Sequence, residues 1–311
     1  MFQNFLVSIQ AVIPLFLMMF LGFIVQKKKW LTDLEVNRFN GMVFKVLFPF
    51  MVFNSIYQTD LTVSFHPALI VYAILAITAV YLISLFLIPR IEPDDKSRGA
   101  MIQSIYRSNF VLLGLPLVGN LFPGVDLGMT ALLIALIVPY YNLLAVITLE
   151  VFRGGKPSLK TILYGIVTNP LIIGSMAGIV ASTVSFPAVI NSTISQLAGA
   201  ATPIALILLG ASFHTDSNPH KRRNLILCIV CRLLVVPGLC LTVAALLGFR
   251  DLAFVTLIAM FGTPASVSSF TMAQQMNSDD ELAGSCVIFT SLFSCFTLFA
   301  WIFLFKQLGI C

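Results

Sequence analysis

A chain of 311 residues that is 59% hydrophobic and 10% charged, with a mean hydropathy of +0.99, is not an ordinary soluble domain, where about a quarter of residues are charged. The net charge of +5 does not indicate nucleic-acid binding, because the basic residues sit in short loops between apolar spans, where they act as topology determinants. The composition defines an all-α integral membrane protein. No charge precedes the first span and Lys27-Lys28-Lys29 follow it, the reverse of a secretory leader, so that span is expected to be retained.

A spanning helix needs about 20 apolar residues, which predicts ten spans at roughly 7–25, 40–57, 67–89, 100–122, 127–149, 161–182, 189–213, 224–247, 252–275 and 283–305. The loops after spans one, three, five and seven hold thirteen basic residues (Lys27, Lys28, Lys29, Arg38, Arg90, Lys96, Arg98, Arg153, Lys156, Lys160, Lys221, Arg222 and Arg223). The opposite side has Arg250 and Lys306. Basic loops stay in the cytoplasm, so both termini are expected on the outer side of the plasma (inner) membrane.

Prolines reveal an internal repeat. Ile13-Pro14-Leu15 with Gly22 in span one matches Asn169-Pro170-Leu171 with Gly178 in span six. Pro49 and Pro203 correspond in spans two and seven, and Pro116 and Pro264 in spans four and nine, at offsets of 156, 154 and 148 residues. Five spans per copy, an odd number, predict a first repeat over 1–152 and an inverted second over 153–311. Proline removes an N–H and clashes with the carbonyl one turn earlier, so helices four and nine are expected to break at Pro116 and at Gly262-Thr263-Pro264-Ala265. Broken helices at matching points of inverted repeats indicate a secondary transporter with its site near the midplane.

All thirteen acidic residues fall in loops or near span ends, Glu150 lying deepest, whereas Lys45, Arg107 and Arg232 fall inside spans. Lys45 is about one turn from the cytoplasmic end and is expected to snorkel. Arg107 and Arg232 lie roughly 10–12 Å from the cytoplasmic start of their helices, at about 1.5 Å per residue. Each would bind substrate, line a vestibule or brace the fold on carbonyl groups, with bracing favoured for Arg232. The six cysteines (Cys228, Cys231, Cys240, Cys286, Cys295, Cys311) read as small hydrophobes, including Cys228-x-x-Cys231, and the three histidines form no metal pattern. No cofactor or metal is expected.

An ordered set of motifs resembles the auxin efflux carrier family, which includes the plant PIN proteins and bacterial organic-anion permeases. It comprises Asn37-Arg38-Phe39 ahead of Pro49, Ser108-Asn109 before Gly114-Leu115-Pro116-Leu117, Pro139-Tyr140-Tyr141-Asn142, Asn169-Pro170-Leu171, Pro203 through Gly210-Ala211-Ser212, and Pro264. The resemblance covers nearly the whole chain. It implies ten helices with helices four and nine crossing at their prolines. It also implies a scaffold of helices one, two, six and seven, a moving part of helices three to five and eight to ten, and a homodimer. Plant members carry a long segment between helices five and six; only Phe152 to Lys160 stands there in this chain, which excludes that regulation and counts against auxin itself.

The half-helices after the two breaks present unsatisfied N–H groups and a positive dipole end, suited to a carboxylate. Asn109 and Asn142 donate amide hydrogens and accept from a hydroxyl, which suits a hydroxy- or dicarboxylate, and the resemblance places substrate beside these crossings. Arg107, Gly114, Pro116 and Pro264 complete the expected site, with Gln103, Thr263, Ser266 and Gln274 as further candidates that would equally serve helix-to-helix hydrogen bonding. The expected substrate is a mono- or dicarboxylate of malate, malonate or auxin-like type, moved by elevator-like alternating access. A Na⁺ or H⁺ coupling ion is left open. The rival readings are a sodium-coupled carrier of the bile-acid-symporter type, an anion channel, and an intramembrane enzyme using Asp94-Asp95. No second acidic motif faces that pair, and no span holds a histidine to activate a serine.

Overall fold

The computed structural model describes residues 2–59, 66–154, 159–213 and 219–311, and for residues 2–12 the backbone path alone. Lys156, one of the basic loop residues, lies outside the described residues. The described chain is helical: α1 (Phe2–Lys27), α2 (Asp33–Met42), α3 (Phe48–Tyr57), α4 (Pro67–Ile91), α5 (Asp95–Tyr106), α6 (Phe110–Leu121), α7 (Gly128–Val151), α8 (Leu159–Thr168), α9 (Pro170–Ala181), α10 (Ala188–Ala211), α11 (Pro219–Val230), α12 (Val236–Leu246), α13 (Asp251–Gly262), α14 (Val267–Gln275) and α15 (Asp280–Gln307). Six continuous helical stretches among the described residues are long and apolar enough to cross a membrane, or seven with the bent pair α8 and α9. The remaining predicted spans fall on shorter helices: Ile13–Lys27 of α1, and the half-helices α5, α6, α13 and α14.

The prolines do not behave alike. Pro14, Pro89, Pro116, Pro139 and Pro203 sit inside unbroken helices. Pro49 and Pro237 are each preceded by a single π turn, Val43–Leu47 and Cys231–Val235, in which the N–H of the next residue reaches back five positions. The wider turn makes room for a ring that would otherwise strike the carbonyl four residues earlier. The chain breaks where a polar side chain stands ready for the freed backbone. At Asn169 the amide oxygen accepts from the Leu171 N–H at 3.0 Å, and α8 and α9 diverge by 56°.

This corrects the expectation for Pro116. The first break lies at Arg107–Asn109, and Pro116 is the seventh residue of the intact α6. The second break, Thr263–Ser266, falls at Pro264 as expected. The two cross as a one-residue antiparallel bridge between Ser108 and Ala265, and the Asn109 N–H donates to the Pro264 carbonyl at 2.8 Å. The Ala265 N–H is taken by Thr290 Oγ1 at 3.1 Å. In hydrocarbon an unmet backbone group costs several kcal/mol, so the break settles where these partners converge.

Two hydrophobic cores flank the crossing. One gathers residues of α4–α7, α11–α13 and α15; the other is centred on α1–α3, α9 and α10 with the inner faces of α7 and α14. In the second core α1 packs on α10, and α3 on α9, at backbone contact. A Cβ added to Gly22 would stand 1.9 Å from the Ile207 carbonyl oxygen, and one on Gly210 1.9 Å from that of Met19. Gly174 lies close on Pro49, where a Cβ would meet the carbonyl oxygen at 2.6 Å. Small residues are what allow such crossings.

Candidate functional site

The crossing brings four helix ends together. The carbonyl ends of α5 and α13 gather on one guanidinium, and Asn109 and Ser266, where α6 and α14 begin, line one cavity. Each pair of ends has its own arginine.

Arg232, in the π turn after α11, is completely buried. Its Nε donates to the Thr263 carbonyl (2.9 Å), one terminal nitrogen to Ile105 (3.1 Å) and Tyr106 (3.4 Å), and the other to Phe261 (2.8 Å) and Met260 (3.2 Å). All of these acceptors are backbone carbonyls at the last turns of α5 and α13. A helix C-terminus carries about half a negative charge, so two of them offset roughly one guanidinium. Arg232 therefore braces the crossing.

Arg107 closes α5 in an extended conformation and is 3% exposed. It meets neutral groups: Asn142 Oδ1 at 2.5 Å, Ser268 Oγ at 2.7 Å, Met272 Sδ at 2.8 Å and Gln103 Oε1 at 3.5 Å. Among the described residues no carboxylate is a partner of Arg107. It lines a cavity of about 30 Å³, enclosed by α3, α6, α7, α9, α10 and α14 and shared with Asn109, Asn142, Ser266 and Ser268. The Nδ2 groups of Asn109 and Asn142 are buried there and find no acceptor among the described residues. The Arg107 bond to Asn142 Oδ1 fixes which end of that amide is the donor. Buried amide donors are nearly always paired in folded proteins, so two left open beside a guanidinium define a place for an acceptor. Neither Asn109 nor Ser266 caps its own helix, which leaves the first N–H groups of α6 and α14 on the cavity side uncovered by those side chains.

Of the residues expected from sequence, Arg107, Asn109, Asn142 and Ser266 come together at the cavity. Gln103 stands behind Arg107 and donates to the Ser269 carbonyl at 3.3 Å. Pro264 and Thr263 shape the crossing through their carbonyls, and Thr263 Oγ1 is buried without a partner among the described residues. Gly114 and Pro116 do not line the cavity; Gly114 instead admits the Phe110 ring, 2.8 Å from where its Cβ would be. Gln274 bonds Asn40 (2.5 Å) and Asp280 (3.0 Å), tying α14 to α2. Lys45 is exposed, in keeping with snorkelling. Sequence reading missed Ser268, the hydroxyl shared between Arg107 and Ser266, and Tyr141, whose hydroxyl meets Ser108 Oγ at 3.2 Å. The run Ser266-Val267-Ser268-Ser269 just after a broken helix was the available signal for the first.

A buried cavity between broken, apolar helices is the architecture of a multi-pass membrane carrier. A family model described as a membrane transport protein matches residues 7–161 and 156–302. The chain belongs to this family, that of the auxin efflux carriers, and is a multi-pass membrane transport protein. It is also similar to an uncharacterized transporter of Methanothermobacter thermautotrophicus, with 24% identity over 308 residues that cover 96% of this chain and 98% of the relative.

Proposed function

We propose that the chain is a secondary transporter that moves a small organic anion, best a dicarboxylate, by alternating access at the Arg107–Asn109–Asn142 cavity. The observation behind this reading is a buried guanidinium with neutral partners beside two unpaired amide donors. Arg107 contributes one positive charge and the N-termini of α6 and α14 about half each, so the cavity is poised for roughly two negative charges. A space of about 30 Å³ holds about one water, so the site is closed here and a carboxylic acid enters only after the surrounding helices part.

The reading extends to the whole chain. Ten spans form two inverted five-helix repeats, supported by the pairing of Ser108 with Ala265 at a spacing of 157 residues, close to the 156 of Pro14 and Pro170 and the 154 of Pro49 and Pro203. Helices α1–α3 and α8–α10 serve as a scaffold past which the rest slides, in a homodimer in the plasma membrane with both termini outside. Arg232 argues against the sodium-coupled alternative, because a cation already occupies the carbonyl ends that Na⁺ would need. With no coupling ion, the membrane potential supplies about 2.3 kcal/mol per charge per 100 mV.

Thermal unfolding of the purified protein against a panel of mono- and dicarboxylates, with and without Na⁺, tests the proposal. A bound acid at about 100 times its dissociation constant stabilises by about 2.7 kcal/mol. One acid should produce this shift and lose it in Asn109→Ala. Stabilisation by cations or neutral compounds alone would overturn the reading.

A further inference from the structure

A second, larger cavity opens at the basic rim of the bundle, between α11 and α15 and against Phe213 at the end of α10. It measures about 600 Å³. Its walls are apolar: Leu225, Ile226 and Ile229 on α11, and Leu282, Phe289 and Phe293 on α15. On α15 these residues fall at i, i+7 and i+11, one face of a helix. From Leu282 to Phe293 this face runs about 16 Å at about 1.5 Å per residue, the depth of one leaflet in a hydrocarbon core about 30 Å thick. At the mouth stand Lys221, Arg222 and Glu281. Lys221 pairs with Glu281 at 2.6 Å, which leaves that couple neutral. Arg222 is exposed and has no ion pair among the described residues, so those residues give the mouth one uncommitted positive charge above an apolar slot one leaflet deep.

We infer that this groove is a binding site for an anionic phospholipid, its phosphate on Arg222 and one acyl chain between α11 and α15. A guanidinium meets phosphate oxygens in bidentate fashion, and basic residues near a membrane surface each favour an anionic headgroup severalfold. The slot matches an acyl chain and the charge matches the head; a soluble anion would use the second feature alone. The groove is separate from the Arg107 cavity and shares no residue with it.

The test is lipid retention by the full chain purified from vesicles containing equal phosphatidylglycerol and phosphatidylcholine, read by native mass spectrometry. The wild type should retain phosphatidylglycerol preferentially. Arg222→Glu should reduce that preference about tenfold, since it exchanges a cation for an anion at the mouth. Ile226→Trp, at an exposed wall position, should reduce retention of both lipids by filling the slot. Lys160→Glu, an exposed basic residue on another helix, should change neither. Equal retention of the two lipids, an unchanged preference in Arg222→Glu, or displacement of phosphatidylglycerol by inorganic phosphate alone would overturn the inference.

Discussion

Two buried arginines, Arg107 and Arg232, should respond differently to replacement by methionine, which keeps much of the length and removes the charge. Arg232→Met takes the donor away from five carbonyls at the ends of α5 and α13. Unmet buried groups cost about 1–3 kcal/mol each, and breaking a compensated buried charge costs about 3–5 kcal/mol in all. Against a typical total of about 5–15 kcal/mol that is a large share, so the variant should unfold at a clearly lower temperature. Arg107→Met removes a charge that faces an amide oxygen, a hydroxyl and a thioether. Its stability should stay within about 1 kcal/mol of the wild type, because relief from burying a guanidinium opposite neutral groups alone offsets the acceptors it leaves unmet. Its affinity for the anion should fall about 10–150-fold, the equivalent of the 1.5–3 kcal/mol of a hydrogen bond to a charged group. Thermal unfolding in detergent measures the first quantity and uptake into proteoliposomes the second. If Arg107→Met unfolds as readily as Arg232→Met, or transports normally, the division between anion site and brace is wrong.

Gly210→Val should destabilise the fold by about 3 kcal/mol or more, since its Cβ would overlap the Met19 carbonyl, while Gly199→Val on the same helix, with open space around it, should be neutral in the same unfolding assay. Glu92, at the end of α4, is 2% exposed; burial alone would raise its pKa, but bonds from the Asp94 N–H, Asn224 and His220 hold it below the ordinary 4.5. The unfolded chain then takes up the proton first, so this stabilisation is complete above pH 4.5 and is lost as pH falls through the lower folded value. Glu92→Gln should therefore be less stable at neutral pH and show a shallower loss on acidification; parallel acid profiles would refute the assignment.

Class and helix content were determined by composition, because a chain this apolar has no aqueous alternative and hydrocarbon leaves its backbone only helices or closed barrels. The polar residues inside apolar stretches pointed to Arg107, Asn109, Asn142 and Ser266 for the same reason: each is expensive there unless it meets a partner. The location of the first break was not legible, since Pro116 and Asn109 lie in one run and local chemistry favours the proline. Tertiary structure decided it, by bringing the Pro264 carbonyl to the Asn109 N–H and Arg232 to the carbonyls of Ile105 and Tyr106. The separate duties of the two arginines were decided the same way. Sequence shows two buried cations; only the fold shows that one lies among helix C-termini, whose negative ends satisfy it, and the other beside the N-termini of α6 and α14 and two amide groups unpaired among the described residues.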